Sequence, residues 1–81
     1  MRISLAVGMV PHTGTMGTHV KVPSGTWKVK HNTKDSHLTL LINGVENDIN
    51  TTFDLIEAAS LQVKVAKGGT ERFILAYLEA A

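Results

Sequence analysis

The sequence predicts a mainly β chain of α+β character: a small antiparallel sheet, or a partly open barrel, built on a meander and carrying one short helix. Three observations predict it. Residues 37–43, His-Leu-Thr-Leu-Leu-Ile-Asn, alternate apolar and polar, Leu41 excepted, with the period of two that marks a half-buried strand. Asn43-Gly44 follows at once, and because both central positions of a type I′ turn need positive φ, this dipeptide is a strong hairpin signal. The segments on either side repeat the alternation in a matching phase.

That phase implies a register. A two-residue turn sets Ile42 opposite Val45, Leu40 opposite Asn47 and Leu38 opposite Ile49. A four-residue loop at 32–35 places Val29 opposite Leu38 and Trp27 opposite Leu40. A second, at 23–26, pairs Val22 with Trp27 and Val20 with Val29. A slip of one residue at either loop would set valine or leucine against lysine, which a buried face rejects. The expected meander spans residues 18–49, and its buried face holds Val20, Val22, Trp27, Val29, Leu38, Leu40, Ile42, Val45 and Ile49, with Trp27 at the centre.

Upstream, residues 2–10 alternate, with Ile3, Leu5, Val7 and Met9 on one side and Arg2, Ser4, Ala6 and Gly8 on the other. This reads as a first strand closed by Pro11. Residues 11–18 form a surface loop that includes Gly14-Thr15-Met16-Gly17. The G-x-x-G spacing lacks the internal basic residue and flanking helices of a KH-domain clamp, although glycine-bearing loops often carry contacts. Downstream, residues 50–52 supply helix caps, and Asp54 and Glu57 place acid in a first turn, where the helix dipole favours it. A short helix over 52–60 would bury Phe53, Ile56 and Ala59. Leu61, Val63 and Val65 then alternate with Gln62 and Lys64 as a strand.

Residues 70–81 fit two patterns. As a strand, Phe73, Leu75 and Tyr77 face residues 61–65 across a Lys67-Gly68-Gly69 loop. As a helix, Thr70 caps a stripe of Phe73, Ile74, Tyr77, Leu78 and Ala81. The strand is the favoured pattern. It leaves Ile74, Ala76 and Leu78 as an apolar second face needing cover from the short helix or another subunit.

Eighty-one residues make a single domain over 1–81, 43% hydrophobic and 19% charged, with no repeat or linker. At this size folding buries only about 60–65% of the surface of the unfolded chain, so burial against a copy or a larger partner is a natural supplement. Without cysteine there is neither a disulfide nor a thiolate metal site. The net charge of +1 and the isoelectric point of about 8.1 fall short of the value above about 9 that marks a whole-domain nucleic-acid footprint. No stretch approaches the ~20 apolar residues of a membrane span. The short run after Arg2 lacks a cleavage site, so neither a signal peptide nor a transmembrane segment is expected, and the expected location is cytoplasmic or within a macromolecular assembly. Asn50-Thr51-Thr52 matches a glycosylation sequon, which matters only on secretion.

In the expected meander the face opposite the core carries His19, Lys21, Lys28, Lys30 and His37, with Lys21 opposite Lys28 and His19 and His37 opposite Lys30. Like charges across a ladder destabilise it, so such a stripe invites a partner-binding role toward an acidic protein surface or a phosphate backbone. Against that, lysines also solubilise exposed strands, and Glu46 and Asp48 are expected on the same face. His12, His19, His31 and His37 lie 7, 12 and 6 residues apart, unlike the close pairs of zinc sites. Asp35, Ser36 and His37 are chain neighbours that cannot converge as a triad, Lys67-Gly68-Gly69-Thr70 lacks the frame of a phosphate-binding loop, and acid–base work would fall to Glu46, Asp48, Asp54 or Glu57 in a chain with little room for a pocket. No enzyme, cofactor or metal is expected.

The expected function is a non-enzymatic binding or structural module acting through protein–protein contacts. It would be a subunit of an assembly, such as a decoration or accessory protein of a virus particle, or a small inhibitor of a larger protein. Its partners would be a larger protein or copies of itself, not a membrane. Lys21, Lys28, Lys30, His19 and His37 form the expected contact surface, and Ile74, Ala76 and Leu78 the expected oligomer interface. The rival reading is a small-barrel nucleic-acid-binding protein that uses the same lysines.

Overall fold

Asn43 and Gly44 take φ angles of 51° and 83°, the two positive values of a type I′ turn. They join β5 (His37–Ile42) to β6 (Val45–Asp48) in the expected register, Ile42 opposite Val45 and Leu40 opposite Asn47. The structure, a computed structural model, describes residues 2–5, 8, 9 and 12–81. The placements expected for the side chains of Ala6, Val7, Gly8, Met9 and Val10, and for Pro11 as a stop, lie outside the described residues.

The other strands are β1 (Arg2–Ser4), β2 (Gly8–Met9), β3 (Val20–Val22), β4 (Gly25–His31), β7 (Phe53–Leu55), β8 (Ala59–Lys67), β9 (Phe73–Ile74) and β10 (Ala76–Ala80). They form two four-stranded antiparallel sheets, β1-β10-β4-β7 (sheet I) and β3-β8-β5-β6 (sheet II), with a two-stranded β2-β9 ribbon. Trp27, Val29 and Leu78 of sheet I share one buried cluster with Val22, Leu40, Leu61, Val63 and Val65 of sheet II. The chain is therefore mainly β, as expected, with the sheets stacked over a common core.

The meander is not continuous. β4 pairs with β10 and β7, setting Trp27 opposite Ala80 and Phe53, and Val29 opposite Leu78. β3 pairs with β8, and so does β5. Val29 thus does not pair with Leu38, nor Trp27 with Leu40, nor Val22 with Trp27, nor Val20 with Val29. The two loops cross between sheets instead of turning back within one. Val22, Trp27, Val29, Leu40 and Ile49 are nevertheless buried and Val20, Leu38 and Ile42 partly so, since alternation aims a side chain at the core whichever strand lies beside it. Val45, expected in the core, is exposed on the outer strand β6.

No helix occurs among the described residues. Where a helix was expected at 52–60, β7 pairs with β4, Ile56 stands at a bend with 98% of its surface exposed, and β8 begins at Ala59. Strand pairing outweighs the local caps, because Phe53 and Leu55 pack against the core only at period two.

Residues 73–80 are extended, as favoured, but do not face residues 61–65. β9 pairs with β2, and β10 lies between β1 and β4. Ile74, Ala76 and Leu78, expected at an oligomer interface, are 1%, 3% and 0% exposed and belong to the core of the single chain. Phe73 and Leu75 are the exposed members instead. The apolar face needed cover, and the second sheet supplies it. The loop at residues 12–18 is also tied down: Gly14 N and Gly17 N donate to the Val65 and Val63 carbonyls, Val65 N donates to Thr15 O, and the Gln62 side chain reaches Gly17 O.

Candidate functional site

Two polar loops meet at one end of the molecule, one crossing from sheet I to sheet II and one leaving sheet II for the β2-β9 ribbon. Residues 32–36 leave β4 for β5, and residues 68–72 leave β8 for β9. Glu71 joins them. Its Oε1 accepts the backbone N–H groups of Lys34, Asp35 (2.9 Å) and Ser36 (3.3 Å), and its Oε2 accepts the Ser36 hydroxyl. Three successive amides around one carboxylate form an anion-holding concavity. The exchange is reciprocal. Asp35 accepts Thr70 N at 2.9 Å and Thr70 Oγ1 at 2.7 Å, and Ser36 Oγ accepts Gly69 N at 2.8 Å.

The Ser36 hydroxyl and then the Lys34 amide hold the Glu71 carboxyl well below the usual carboxylate range, against the opposing effect of burial. A side chain at position 69 would stand 2.3 Å from Asp35 Oδ1 and 2.7 Å from Ser36 N, so the clasp closes only on glycine. Asn32 extends it, donating its N–H to Leu75 O at 3.3 Å and accepting Leu75 N on Oδ1 at 2.9 Å.

Beside the clasp lies an open depression of about 350 Å³ lined by Asn32, Lys34, Thr70, Glu71, Arg72 and Phe73. Phe73 is 48% and neighbouring Leu75 58% exposed. The ion pair found among the described residues is Lys64 with Glu46 at 3.7 Å, so neither Lys34 nor Arg72 stands at ion-pair distance from a carboxylate there. The end therefore offers two cations and exposed apolar surface on a braced backbone, a combination suited to an acidic surface with an apolar centre.

The residues expected to bind a partner are dispersed. Lys28 and Lys30 lie on the outer face of sheet I, Lys28 opposite Glu79 and Lys30 opposite Tyr77, where the Arg2 guanidinium sits 4.8 Å from the Tyr77 ring centre. Lys21 is on sheet II opposite Ser60, and His19 Nδ1 lies 3.2 Å from Ser60 Oγ. His37 begins β5 opposite Lys67. Lys21 faces away from the core on one sheet and Lys28 and Lys30 on the other, so the expected registers between them do not occur. Of the three lysines, only Lys21 shares a sheet with Glu46 and Asp48.

Sequence reasoning missed Lys34, Arg72 and the clasp. Asp35-Ser36 and Thr70-Glu71 read locally as turn and cap residues, and only the meeting of the two loops makes them partners. Among the described residues no three His, Asp or Glu side chains group as a metal site, and no helix is long and apolar enough to cross a membrane. Comparison with protein-family models, curated proteins and solved structures finds no match.

Proposed function

We propose that this protein is a non-enzymatic binding module, a subunit that docks on a larger protein through its clasped loop end. The observation that carries this reading is the use of Glu71. Its carboxylate is spent on the backbone of residues 34–36, leaving Lys34 and Arg72 without an ion-pair partner among the described residues, beside exposed Phe73 and Leu75. Such a surface suits an acidic protein patch with an apolar centre, where charge speeds encounter and the aromatic ring anchors. The braced backbone also limits the ordering cost of binding. Lys21 lies on a different sheet from Lys28 and Lys30, which weighs against one continuous phosphate-binding face.

The test is capture of the partner from the native source, followed by affinity measurement with the wild type and a Lys34→Glu/Arg72→Glu variant. The expected result is a loss of roughly tenfold or more with an unchanged fold by circular dichroism. Undiminished binding by the variant overturns the reading. So does capture of nucleic acid with a log–log salt slope of about 0.9 per neutralised phosphate.

A further inference from the structure

We propose that copies of this protein associate head to tail, β6 of one copy pairing antiparallel with β3 of the next, so that sheet II continues from molecule to molecule. This goes beyond the docking reading and uses a different surface. Its first ground is charge. Residues 43–63 contain Glu46, Asp48, Asp54 and Glu57 and no lysine or arginine, and they include both β6 and β7, each the last strand at one edge of its sheet. The opposite edge of sheet II, β3, carries Lys21, with His19 just before it. One edge of the sheet is acidic, although Glu46 also lies 3.7 Å from Lys64 of β8, and the other is basic.

The second ground is the backbone. Strands flanking a two-residue turn bond to each other at the first pair, so Val45 and Asn47 spend their N–H and C=O groups on β5, and those of Glu46 point to the open side. At the other edge, Ser60 O accepts Asn43 N at 2.8 Å, and Ser60 N bonds the Asn43 side chain at 2.9 Å. Ser60 therefore directs its backbone toward β5, and Lys21, its partner across β3 and β8, is left with N–H and C=O groups facing outward. Among the described residues β3 and β6 each have one strand neighbour.

The third ground is register. Every neighbouring pair in sheet II is antiparallel, so a translated copy brings β3 antiparallel to β6 without reversing direction. With Glu46 opposite Lys21 of the neighbouring copy, Asp48 falls opposite its His19, Val45 opposite its Val22 and Asn47 opposite its Val20. One alignment thus joins outward backbone groups, sets acid against base twice and keeps the alternation of faces. Charged edge strands commonly block pairing. Here like charges oppose β3 with β3 and β6 with β6 but leave the mixed contact open. A heterologous contact of this kind repeats, giving a ring if its rotation closes and a filament if it does not.

Two charge-reversed variants test it: Lys21→Glu, with acid at both edges, and Glu46→Lys/Asp48→Lys, with base at both. By sedimentation in about 0.05 M salt, the wild type is expected to gain mass with concentration and to lose that gain at about 0.5 M. Each variant alone is expected to associate roughly tenfold more weakly or worse, and a mixture of the two to recover association. A wild type that stays monomeric at high concentration and low salt overturns the proposal, as do variants that associate as the wild type does or a mixture that stays monomeric. The Lys34→Glu/Arg72→Glu variant should self-associate normally, so failure of edge pairing and failure of loop-end docking read out separately.

Discussion

Gly69→Ala tests the clasp. The added methyl would stand 2.3 Å from Asp35 Oδ1 and 2.7 Å from both the Asp35 carbonyl carbon and Ser36 N, where ordinary contacts begin at 3.4 Å. The side-chain oxygen can swing aside, but the backbone atoms cannot, so one loop must retreat. Retreat stretches three hydrogen bonds, Gly69 N to Ser36 Oγ at 2.8 Å, Thr70 N to Asp35 Oδ1 at 2.9 Å and Thr70 Oγ1 to Asp35 Oδ2 at 2.7 Å. Each contributes about 0.5–1.5 kcal/mol net, and partial loss of three outweighs the roughly 0.4–1 kcal/mol gained by restricting the unfolded chain. The expected destabilisation is about 2 kcal/mol, which in a domain of this size lowers Tm by about 8–16 °C. Thermal unfolding followed by circular dichroism measures it. A Tm at or above the wild-type value would refute the close approach of the two loops.

Glu71→Gln should alter the pH dependence of stability. The folded carboxyl is held below its ordinary value of 4.5, so its contribution is present above that value and fades as pH falls below it. Urea midpoints should separate wild type and variant near neutrality and converge in acid, whereas parallel curves would contradict the assignment. Trp27 is 4% exposed and donates Nε1–H to Pro23 O at 3.1 Å. Trp27→Ala should cost about 3–5 kcal/mol, a large part of the roughly 5–15 kcal/mol typical of a domain, and Trp27→Phe about 1 kcal/mol. Urea unfolding by circular dichroism distinguishes these, and an alanine cost below about 1 kcal/mol would place the indole outside the core.

The strands, the turn at Asn43-Gly44 and most of the buried face were legible in the sequence, because period two reports which way a side chain points. It does not report which strand lies alongside. Trp27 and Leu40 both point inward whether they pair within one sheet or face each other across two, so alternation fits either arrangement, and the loop at 32–36 decides between them. The apolar run 74–78 could be recognised as a surface needing cover, but the cover turned out to be intramolecular. Residues 52–60 misled because capping and acidic signals are local, while the pairing of Phe53 with Trp27 is not. The clasp was hidden for the same reason: Asp35 and Thr70 are 35 residues apart.

The position of β10 between β1 and β4 bears on synthesis. Until residues 76–80 emerge from the ribosome, Arg2–Ser4 has no strand to join and Val29 has no Leu78 to pair with. Sheet I is therefore completed by a strand made after its other three. A nascent chain cut short of it would expose Trp27 and Val29 to whatever chaperone or aggregate meets it first.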